Sequence, residues 1–400
     1  MSGTRIQESY KLMRDEEFMK STSGHLVPTV YGQMAYMPNA LPPSIPLAEI
    51  ALDLAAANQA VGELKGAYRR LTNPYILIAP LRRLEAQTSS AMEDTFTTAD
   101  ELVVAEAKIN RAASSEAREV SNYIHALSWA VAQLPQLPLS GRLLKGAHRI
   151  LLDQVGRERG EDKQPGEYAR DQNMIGAQPL QDPKARLASA RFIPPPPAMK
   201  ADAMAALETY LNREERQEAA LLIDIALAHY QFETIHPFGD GNGRIGRMLI
   251  SLMPLDAGLL DMPVLYMSPE LETRKSDYID LMYKVSAKGS WTDWIQFFLV
   301  TLRQSCLRTI ATIDRVIALN AEYTERARAV SRSSNMLALI DLLFLLPAVQ
   351  VSDVIEHVGI TDAAARNLLS QLETIGIVDV SPTYYPKTWI ARELISVASP

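Results

Sequence analysis

The chain has 400 residues, an apolar content of 47% and a formal net charge of −7. This length exceeds what one hydrophobic core usually organises, so the sequence predicts a globular protein of two or three domains. The negative charge excludes a general electrostatic attraction to nucleic acid or anionic membranes. The single cysteine, Cys306, excludes an internal disulfide and a cysteine-based zinc site, which favours a reducing compartment.

The N-terminal segment lacks the apolar core of a signal peptide, and no stretch of 18 uncharged apolar residues occurs along the sequence. These features predict a cytoplasmic protein that makes no membrane contact. A secreted effector with a non-cleaved signal would have the same sequence features.

Apolar residues recur at helical spacing through most of the chain, and β-branched alternation is scarce before the last forty residues. The pattern predicts a mainly α protein, with boundaries marked by prolines and glycines. A charged, glycine-containing stretch at 156–166 is predicted to be an exposed loop. The predicted helical segments are 48–68, 76–90, 99–133, 141–152, 291–302 and 309–329.

Two apolar residues, Phe192 and Ile193, precede four consecutive prolines at 194–197. This pattern indicates a short extended element followed by a stop. Taken alone, the composition favours a linker or a polyproline ligand over a functional segment.

The region from Ser333 to the C-terminus differs in character from the rest of the chain. It reads helix, helix, turn, helix and then two β-prone segments, an order typical of a winged helix-turn-helix. The predicted helices are 337–346, 351–357 and 362–374, and the predicted strands are 377–380 and 388–390.

The segment from His236 to Arg247 reads HPFGDGNGRIGR and lies between two stretches with helical apolar periodicity. Gly241 and Gly243 allow the backbone to turn its N–H groups inward, and a helix that begins near Arg244 adds its positive dipole end. The sequence therefore predicts a loop that binds phosphate groups.

Four side chains of this loop suit chemistry on a bound triphosphate. Arg244 and Arg247 are adjacent on the first turns of the helix, where two guanidinium groups would clamp successive phosphates. Asp240 would hold the accompanying Mg²⁺, and a neutral His236 imidazole would accept the proton of an incoming hydroxyl. A lone histidine is more often structural, so the prediction depends on the whole constellation.

The residues from Gly241 to Gly246 also match the dinucleotide fingerprint GxGxxG, and Asp261 lies near the expected acidic position. That fingerprint must follow a strand within a βαβ unit, whereas here the preceding residues repeat at helical period. The context therefore argues against dinucleotide binding. No GxxxxGK[ST] segment occurs, which excludes a Walker phosphate loop as well.

The same segment resembles the signature of the Fic family, HxFx(D/E)GNGRxxR, with every specified position filled. The resemblance implies a helical core with a short β-hairpin flap, and the transfer of AMP from ATP to a Ser, Thr or Tyr hydroxyl of a target protein. It implies that His236 is the general base and that Asp240 is the Mg²⁺ ligand. The residues that it implies for binding ATP through its phosphates are Gly241, Asn242, Gly243, Arg244, Ile245, Gly246 and Arg247.

The resemblance extends to three segments before the signature, at 165–170, 172–176 and 192–195. It implies that Phe192, Ile193 and Pro194 belong to a flap that aligns the target by strand-like pairing. Tyr278 matches a position that borders the adenine in similar proteins. An ordinary packing tyrosine is the alternative for that residue.

Further upstream, the segment from Glu85 to Asp94 resembles the inhibitory helix of Fic proteins that carry the pattern [S/T]xxxE[G/N]. Ser89 and Glu93 fit this pattern. By the resemblance, Glu93 pairs with Arg247 and blocks the productive pose of the triphosphate. The match departs at Asp94, where Gly or Asn is expected, so we expect a changed turn after Glu93 and a changed strength of inhibition.

These observations together predict four regions. They are an N-terminal helical region with the inhibitory helix at 1–104, a Fic core at 105–305, a connecting helix at 306–332 and a winged-helix domain at 333–400. The alternatives within enzymes are another nucleotide or phosphate donor, and removal of AMP with a water positioned by Glu93.

An alternative from another class is a DNA-binding or interaction regulator with an accessory core. The charge of the 333–400 tail argues against DNA, because three basic residues face seven acidic ones, a net charge of −4. Protein contact, including a homodimer, is therefore favoured for the tail. The basic residues are Arg366, Lys387 and Arg392, and the acidic ones are Asp341, Asp353, Glu356, Asp362, Glu373, Asp379 and Glu393.

Overall fold

The computed structural model describes residues 12–71, 73–107, 114–156, 161–214 and 220–398. It is 63% helix with few strands, which confirms the predicted mainly α class. None of the described helices combines the length and the apolar character that crossing a membrane requires.

The N-terminal part contains a β-hairpin that the sequence analysis did not predict. A short helix α1 (Asp15–Phe18) precedes strands β1 (Gly24–Pro28) and β2 (Met34–Pro38), which pair antiparallel. Both strands end in proline, where a missing N–H costs no ladder bond.

The next helices build the region before the signature loop. Helices α2 to α7 span Leu47–Tyr68, Pro74–Leu77, Ala79–Ala91, Ala99–Glu106, Ser115–Gln133 and Gly141–Leu151. The predicted segment 76–90 is divided at Ile78, which ends α3 and precedes α4. The predicted block 99–133 is also divided, because the Ser114 side chain caps a new helix by accepting the Ala117 N–H.

Seven further helices lie between this region and the tail in the described part of the chain. Helices α8 to α14 span Pro183–Ala188, Pro197–Leu211, Leu221–Ile235, Asn242–Asp256, Ser268–Thr273, Lys275–Lys288 and Trp291–Val330. Helices α10 and α11 are buried along almost their whole length, which explains why both read as apolar. The two predicted helices at 291–302 and 309–329 form the single 40-residue helix α14.

The predicted flap and loop are less regular than the sequence suggested. The flap consists of one antiparallel bridge between Ile175 and Phe192. In the predicted loop, residues 157–160 lie outside the described residues, a turn of 3-10 helix covers Glu161–Lys163, and Gly166 is buried. Gly156 and Asp162 are exposed as predicted, so only the last residue of the loop packs against the core.

The tail contains the helices and strands that its sequence predicts, together with a further strand and a further helix. Its elements are α15 (Ser334–Leu345), β3 (Ala348–Val349), α16 (Val351–Val358), α17 (Asp362–Thr374), β4 (Asp379–Val380), β5 (Trp389–Ile390) and α18 (Arg392–Ser396). The strands form one antiparallel sheet in the order β3-β5-β4.

The tail packs against helix α4. The Arg83 side chain of α4 pairs with Glu106 at 2.5 Å and donates to the carbonyl oxygens of Phe344 and Leu345 at the end of α15. Ser89 of the same helix contacts the signature loop. Helix α4 therefore connects the tail to the loop.

Candidate active site

The signature loop is a tight connection between two buried helices. His236 ends α10 in a left-handed conformation with φ 49°, and Gly241 precedes α11 with φ 73°. A left-handed conformation is strained for a residue other than glycine, and it persists where the surrounding structure fixes it. The strained backbone at His236 directs the chain from one helix into the next.

Two asparagine side chains hold this loop in shape. The Asn242 amide donates to Phe238 O at 2.7 Å and accepts the Phe238 N–H at 2.8 Å. Asn173 Nδ2 donates to the carbonyl oxygens of His236 and Phe238, both at 2.7 Å. The side chain of Asn242 therefore braces the loop. A phosphate contact of this residue stays a prediction, and it would be made by the backbone N–H at the start of the helix.

A buried histidine supports the loop from the other side. The His148 ring stacks on Phe238 with centroids 3.9 Å apart. Its Nδ1 accepts the Gly166 N–H at 2.9 Å, so the proton lies on Nε2, which donates to Asp240 O at 3.0 Å. Burial lowers the pKa of His148 to about 4, which keeps the ring neutral. Sequence reasoning missed this residue, because a single histidine among the basic and apolar residues of a helix gives no signal.

His236 has the tautomer and charge that a general base requires. Its Nδ1 lies 3.2 Å from Glu233 O, a carbonyl that can only accept, so Nδ1 carries the proton and Nε2 keeps its lone pair. Burial, and then the positive charge of Lys200, lower the pKa of His236 to about 4. The imidazole is therefore neutral at pH 7 and able to accept a proton.

One cavity of about 190 Å³ brings together six of the residues that the sequence analysis proposed for the site. They are Glu93, Phe192, His236, Gly243, Arg247 and Tyr278. The other proposed residues lie around the cavity without lining it. Those are Ser89, Ile193, Pro194, Asp240, Gly241, Asn242, Arg244, Ile245 and Gly246.

Arg247 is held by the upstream segment that the sequence analysis proposed to be inhibitory. Its guanidinium donates to Glu93 Oε1 at 2.9 Å, to Ser89 Oγ at 2.8 Å and to Ser89 O at 2.7 Å. A side chain at Gly243 would collide with the Glu93 carboxylate, so only glycine permits this approach. Glu93 and Arg247 thus meet in the cavity, beside the N-terminus of α11.

The Glu93 carboxyl is charged at neutral pH. Burial works against ionisation, but the guanidinium groups of Arg247 and Arg244 outweigh it and hold the pKa of Glu93 below its usual range. The ion pair therefore persists at pH 7. An anion that binds the Arg247 guanidinium must displace the Glu93 carboxylate.

The two signature arginines face different ways. Arg244 is fully buried and pairs with Glu119 of α6 and with Asp240, the latter at 3.3 Å. The buried Glu119 carboxylate draws this guanidinium away from the cavity, whereas Arg247 enters it. The clamp of two adjacent guanidinium groups is absent from this structure, and a phosphate contact of Arg244 stays a prediction.

Asp240 suits a magnesium ion that takes most of its ligands from a nucleotide. Its Oδ1 accepts the Gly241 N–H at 2.6 Å, and about a quarter of its side chain (26%) is exposed. Within the described ranges, no group of three or more His, Cys, Asp or Glu side chains is placed to hold a metal. One carboxylate together with phosphates and water is a common set of Mg²⁺ ligands, so the residues fit this ion.

Tyr278 both packs and lines the cavity. Its hydroxyl donates to His229 Nε2 at 2.9 Å, because His229 Nδ1 uses its proton toward Gly246 O at 3.0 Å. Burial lowers the pKa of His229 to about 3, which keeps that ring neutral. Contact of Tyr278 with the adenine of ATP stays a prediction. The hydrogen-bonded hydroxyl agrees equally well with a tyrosine that only packs in the core.

Glu233 lines the cavity and was also missed by sequence reasoning. Its Oε1 is buried and has no hydrogen-bond partner within the described residues. Burial raises the pKa of this carboxyl to about 8, so it is mostly neutral at pH 7. Glu233 and His229 lie three and seven positions before His236, on the same face of α10. This helical spacing could have identified Glu233 from the sequence.

The backbone of the flap is already paired within the chain. Phe192 exchanges hydrogen bonds with Ile175, and Ile193 O accepts the Tyr36 N–H of strand β2 at 2.9 Å. The Phe192 ring also packs against Phe18 and Tyr36. Alignment of a target by Phe192, Ile193 and Pro194 stays a prediction, and at Ile193 O it would require displacement of β2.

The turn after Glu93 keeps its left-handed geometry despite the aspartate. Asp94 has φ 59°, the conformation that glycine or asparagine adopts most readily. The expected change of this turn is therefore absent, and the aspartate bears a conformational cost.

Replacing Asp94 by glycine is expected to stabilise the protein by on the order of 1 kcal/mol, because glycine adopts a positive φ without the steric cost. The free energy of unfolding from urea titrations measures this gain. Asp94→Ala keeps the steric cost and serves as the control. Equal stability of the two variants would contradict the account of this turn.

Two family models match consecutive parts of the chain. The model for the N-terminal region of the Fic/DOC family matches residues 51–132, and the model of the Fic/DOC family itself matches residues 138–253. The second match contains the signature loop, His148 and the flap.

The chain is similar in sequence to parts of two curated proteins. Protein adenylyltransferase Fic of Drosophila mojavensis is 34% identical over 111 residues, which cover 28% of this chain and 18% of that protein. A probable protein adenylyltransferase of Aquifex aeolicus is 37% identical over 76 residues, which cover 18% of this chain and 22% of that protein. The chain thus matches about a fifth of the length of these relatives.

Two solved structures share the fold. A Fic family protein from Desulfovibrio desulfuricans superposes with a TM-score of 0.53 at 20% identity, and covers 88% of this chain and 98% of its own. Fic-1 of C. elegans superposes with a TM-score of 0.50 at 18% identity, and covers 67% of this chain and 74% of its own. At these identities the likeness concerns the fold alone.

Proposed function

Because the chain belongs to the Fic/DOC family, we propose that it is a protein adenylyltransferase, which moves AMP from ATP to a Ser, Thr or Tyr hydroxyl of a target protein. The observation that carries this proposal is the arrangement of His236 and Arg247. A neutral imidazole with an available Nε2 lies in one cavity with a guanidinium group and the N-terminus of a helix.

In the proposed reaction, Nε2 of His236 accepts the proton of the target hydroxyl while that oxygen attacks the α-phosphorus of ATP. The bond from the α-phosphorus to the bridging oxygen breaks, and pyrophosphate leaves. The backbone N–H groups at the start of α11 and the guanidinium of Arg247 stabilise charge on the phosphates. Mg²⁺, held by Asp240 and the nucleotide, would neutralise further charge when bound.

Glu93 acts as the brake of this site. Its carboxylate occupies the guanidinium of Arg247, which the triphosphate needs, and its negative charge repels the phosphates. Ser89 holds the same guanidinium in place from the neighbouring turn. The resting protein therefore transfers AMP slowly until Glu93 leaves Arg247.

Transfer of label from ATP tests this function. With α-labelled ATP and Mg²⁺, the protein or a target in cell lysate should become labelled, most strongly with Glu93→Gly and not at all with His236→Ala. γ-Labelled ATP should leave protein unlabelled, because that phosphate departs in pyrophosphate. Protein labelled by γ-labelled ATP alone would show another chemistry and overturn the proposal.

Removal of AMP by the same site is a second candidate. The observation in its favour is that Glu93 lines the same cavity as His236, with a charged carboxylate that could orient a water. AMP-modified target incubated without ATP should then lose AMP with the unaltered protein and keep it with Glu93→Gly. If both proteins leave the modification intact, this candidate fails.

We further propose that residues 1–104 hold the brake, 105–305 the Fic core, 306–332 a connection and 333–400 a winged-helix domain that contacts protein. The order of α15, α16 and α17 with the three short strands supports the winged helix. In the proposed recognition helix α17, Arg366 is engaged by Asp362 at 2.7 Å. A DNA shift that needs no ATP and disappears on deletion of 333–400 would favour the DNA-binding alternative.

A further inference from the structure

A lysine that lines the cavity has no role in the reaction described so far. Lys275 is the first residue of helix α13, which also places Tyr278 in the cavity lining. Its Nζ donates to Met92 O at 2.8 Å, and this carbonyl belongs to the peptide group that joins Met92 to Glu93. The ammonium group therefore contacts the backbone directly before Glu93, the residue that occupies Arg247.

The ammonium group of Lys275 has both charge and donors available for a ligand. In the part of the chain that the structure describes, its Nζ bonds to the Met92 carbonyl and forms no ion pair. An ammonium group has three donors, so two remain for another acceptor. The start of a helix is an unfavourable place for a cation, because the helix dipole is positive there. An anion bound in the cavity would offset this cost.

The charges around the cavity leave Lys275 without a counter-charge. Among the described residues, the charged side chains in the lining are the cations Arg191, Arg247 and Lys275 and the acids Glu93 and Glu233. Glu233 is mostly neutral at pH 7, and Arg191 is paired with a carboxylate of α13 that lies outside the lining. The Glu93 carboxylate pairs with Arg247. A polyphosphate that displaces Glu93 therefore meets two cations, Arg247 and Lys275.

A second cation is needed because one signature arginine is turned away from the cavity. Arg244 pairs with the buried Glu119 and with Asp240, so among the two signature arginines only Arg247 enters the cavity. The charge of a triphosphate is usually balanced by several cations in a site of this kind. A lysine binds phosphate as a point charge and does not require the planar geometry of a guanidinium group.

We propose that Lys275 is a phosphate-binding residue of this site, and that it contacts the β- or γ-phosphate of ATP together with Arg247. In the proposed reaction the α-phosphate lies at His236, where the hydroxyl attacks, so the contact of Lys275 is with the pyrophosphate part. The ammonium group then stabilises the negative charge that develops on pyrophosphate as it leaves. This inference rests on the proposed function.

The bond to Met92 O gives Lys275 an alternative role that can be separated from phosphate binding. If Lys275 only anchored the backbone before Glu93, its replacement would loosen the brake of the unaltered protein. The same replacement would then leave the ATP affinity of Glu93→Gly unchanged, because that variant has no brake. Phosphate binding predicts a loss of ATP affinity in the Glu93→Gly background.

Calorimetric titrations of Glu93→Gly with ATP and with AMP, at fixed Mg²⁺, test the contact with and without Lys275→Met. Lys275→Met should weaken ATP binding by roughly 10–100-fold, the usual contribution of a hydrogen bond to a charged group, and leave AMP binding unchanged. Lys275→Arg keeps the charge and should keep most of the ATP affinity. The matched control is Lys284→Met, which changes an exposed lysine of the same helix and should alter neither affinity.

The comparison of ATP with AMP distinguishes a phosphate contact from a structural role, since a distorted cavity would weaken both nucleotides. Unchanged ATP affinity in folded Lys275→Met overturns the inference, even where AMP transfer is observed. Equal losses for ATP and AMP overturn it as well. If Lys275→Met does not fold, Lys275→Gln, which keeps a donor for Met92 O, must show the same selective loss.

The affinities also separate this inference from the proposed function. ATP that binds to Glu93→Gly and loses affinity in Lys275→Met supports the contact, and absence of AMP transfer in the same samples would overturn the function alone. Absence of ATP binding to folded Glu93→Gly would overturn both.

Discussion

Replacing Glu93 by glycine is expected to raise the rate of AMP transfer by roughly 5–150-fold, the usual range for a coupling between two states of a site. The Glu93 carboxylate and Ser89 together hold the Arg247 guanidinium, and in the proposed reaction the phosphates would approach that guanidinium. Without the carboxylate, Arg247 keeps its two bonds to Ser89 and becomes available to an anion. The affinity for ATP should rise along with the rate.

The rate is measured as incorporation of label from α-labelled ATP at fixed Mg²⁺, and the affinity by calorimetry. Glu93→Gln keeps the shape of the side chain and removes its charge, so it should recover most of the activation. The control is Glu63→Ala, which changes an exposed glutamate of helix α2 and should leave the rate unchanged. A slower or equal rate for Glu93→Gly would contradict the brake.

Replacing His236 by alanine in the Glu93→Gly background is expected to lower AMP transfer by about 10²–10⁴-fold, the usual contribution of a general base. In the proposed reaction, the imidazole takes the proton of the hydroxyl and is not needed to bind the triphosphate. ATP should therefore bind to the double variant with unchanged affinity, while transfer is lost.

Initial rates and calorimetric titrations with ATP measure the two quantities separately. His357→Ala, an exposed histidine of the tail helix α16, is the control and should retain the full rate. Transfer that persists at the Glu93→Gly rate would exclude His236 as the base. Loss of ATP binding together with transfer would indicate a structural role for this residue.

The sequence predicted the parts of the site that lie close together along the chain. The loop from His236 to Arg247 carries its glycines, arginines and acid within twelve positions, so their proximity needs no tertiary information. The pairing of Glu93 with Arg247 was also anticipated, through the resemblance of a separate segment. Both signals are patterns of residue type at fixed spacing.

The supporting residues could not be predicted, because tertiary packing brings them to the loop. His148 stacks on Phe238 from helix α7, and Asn173 donates to the carbonyl oxygens of His236 and Phe238 from the segment before the flap. Neither residue stands out in its own segment, where other polar residues surround it. Their roles depend on burial and partners, which residue spacing does not encode.

Residue spacing also failed to predict the pairing of Arg244 with Glu119 and the N-terminal hairpin. The spacing of Arg244 and Arg247 predicts neighbours on a helix, but only the structure reveals that Glu119 binds one of them outside the cavity. The β1–β2 hairpin was not predicted, and its strand β2 donates the Tyr36 N–H to Ile193 O of the flap. Both contacts join segments that lie far apart along the chain.

The intact mass of the Glu93→Gly protein after incubation with ATP and Mg²⁺, alone and with lysate proteins present, tests AMP transfer by this site. We expect the protein or a target to gain the mass of one AMP per modified hydroxyl, and Glu93→Gly combined with His236→Ala to gain none. A gain of one phosphate, or no gain on any protein while the variant is folded and binds ATP, would contradict AMP transfer by this site.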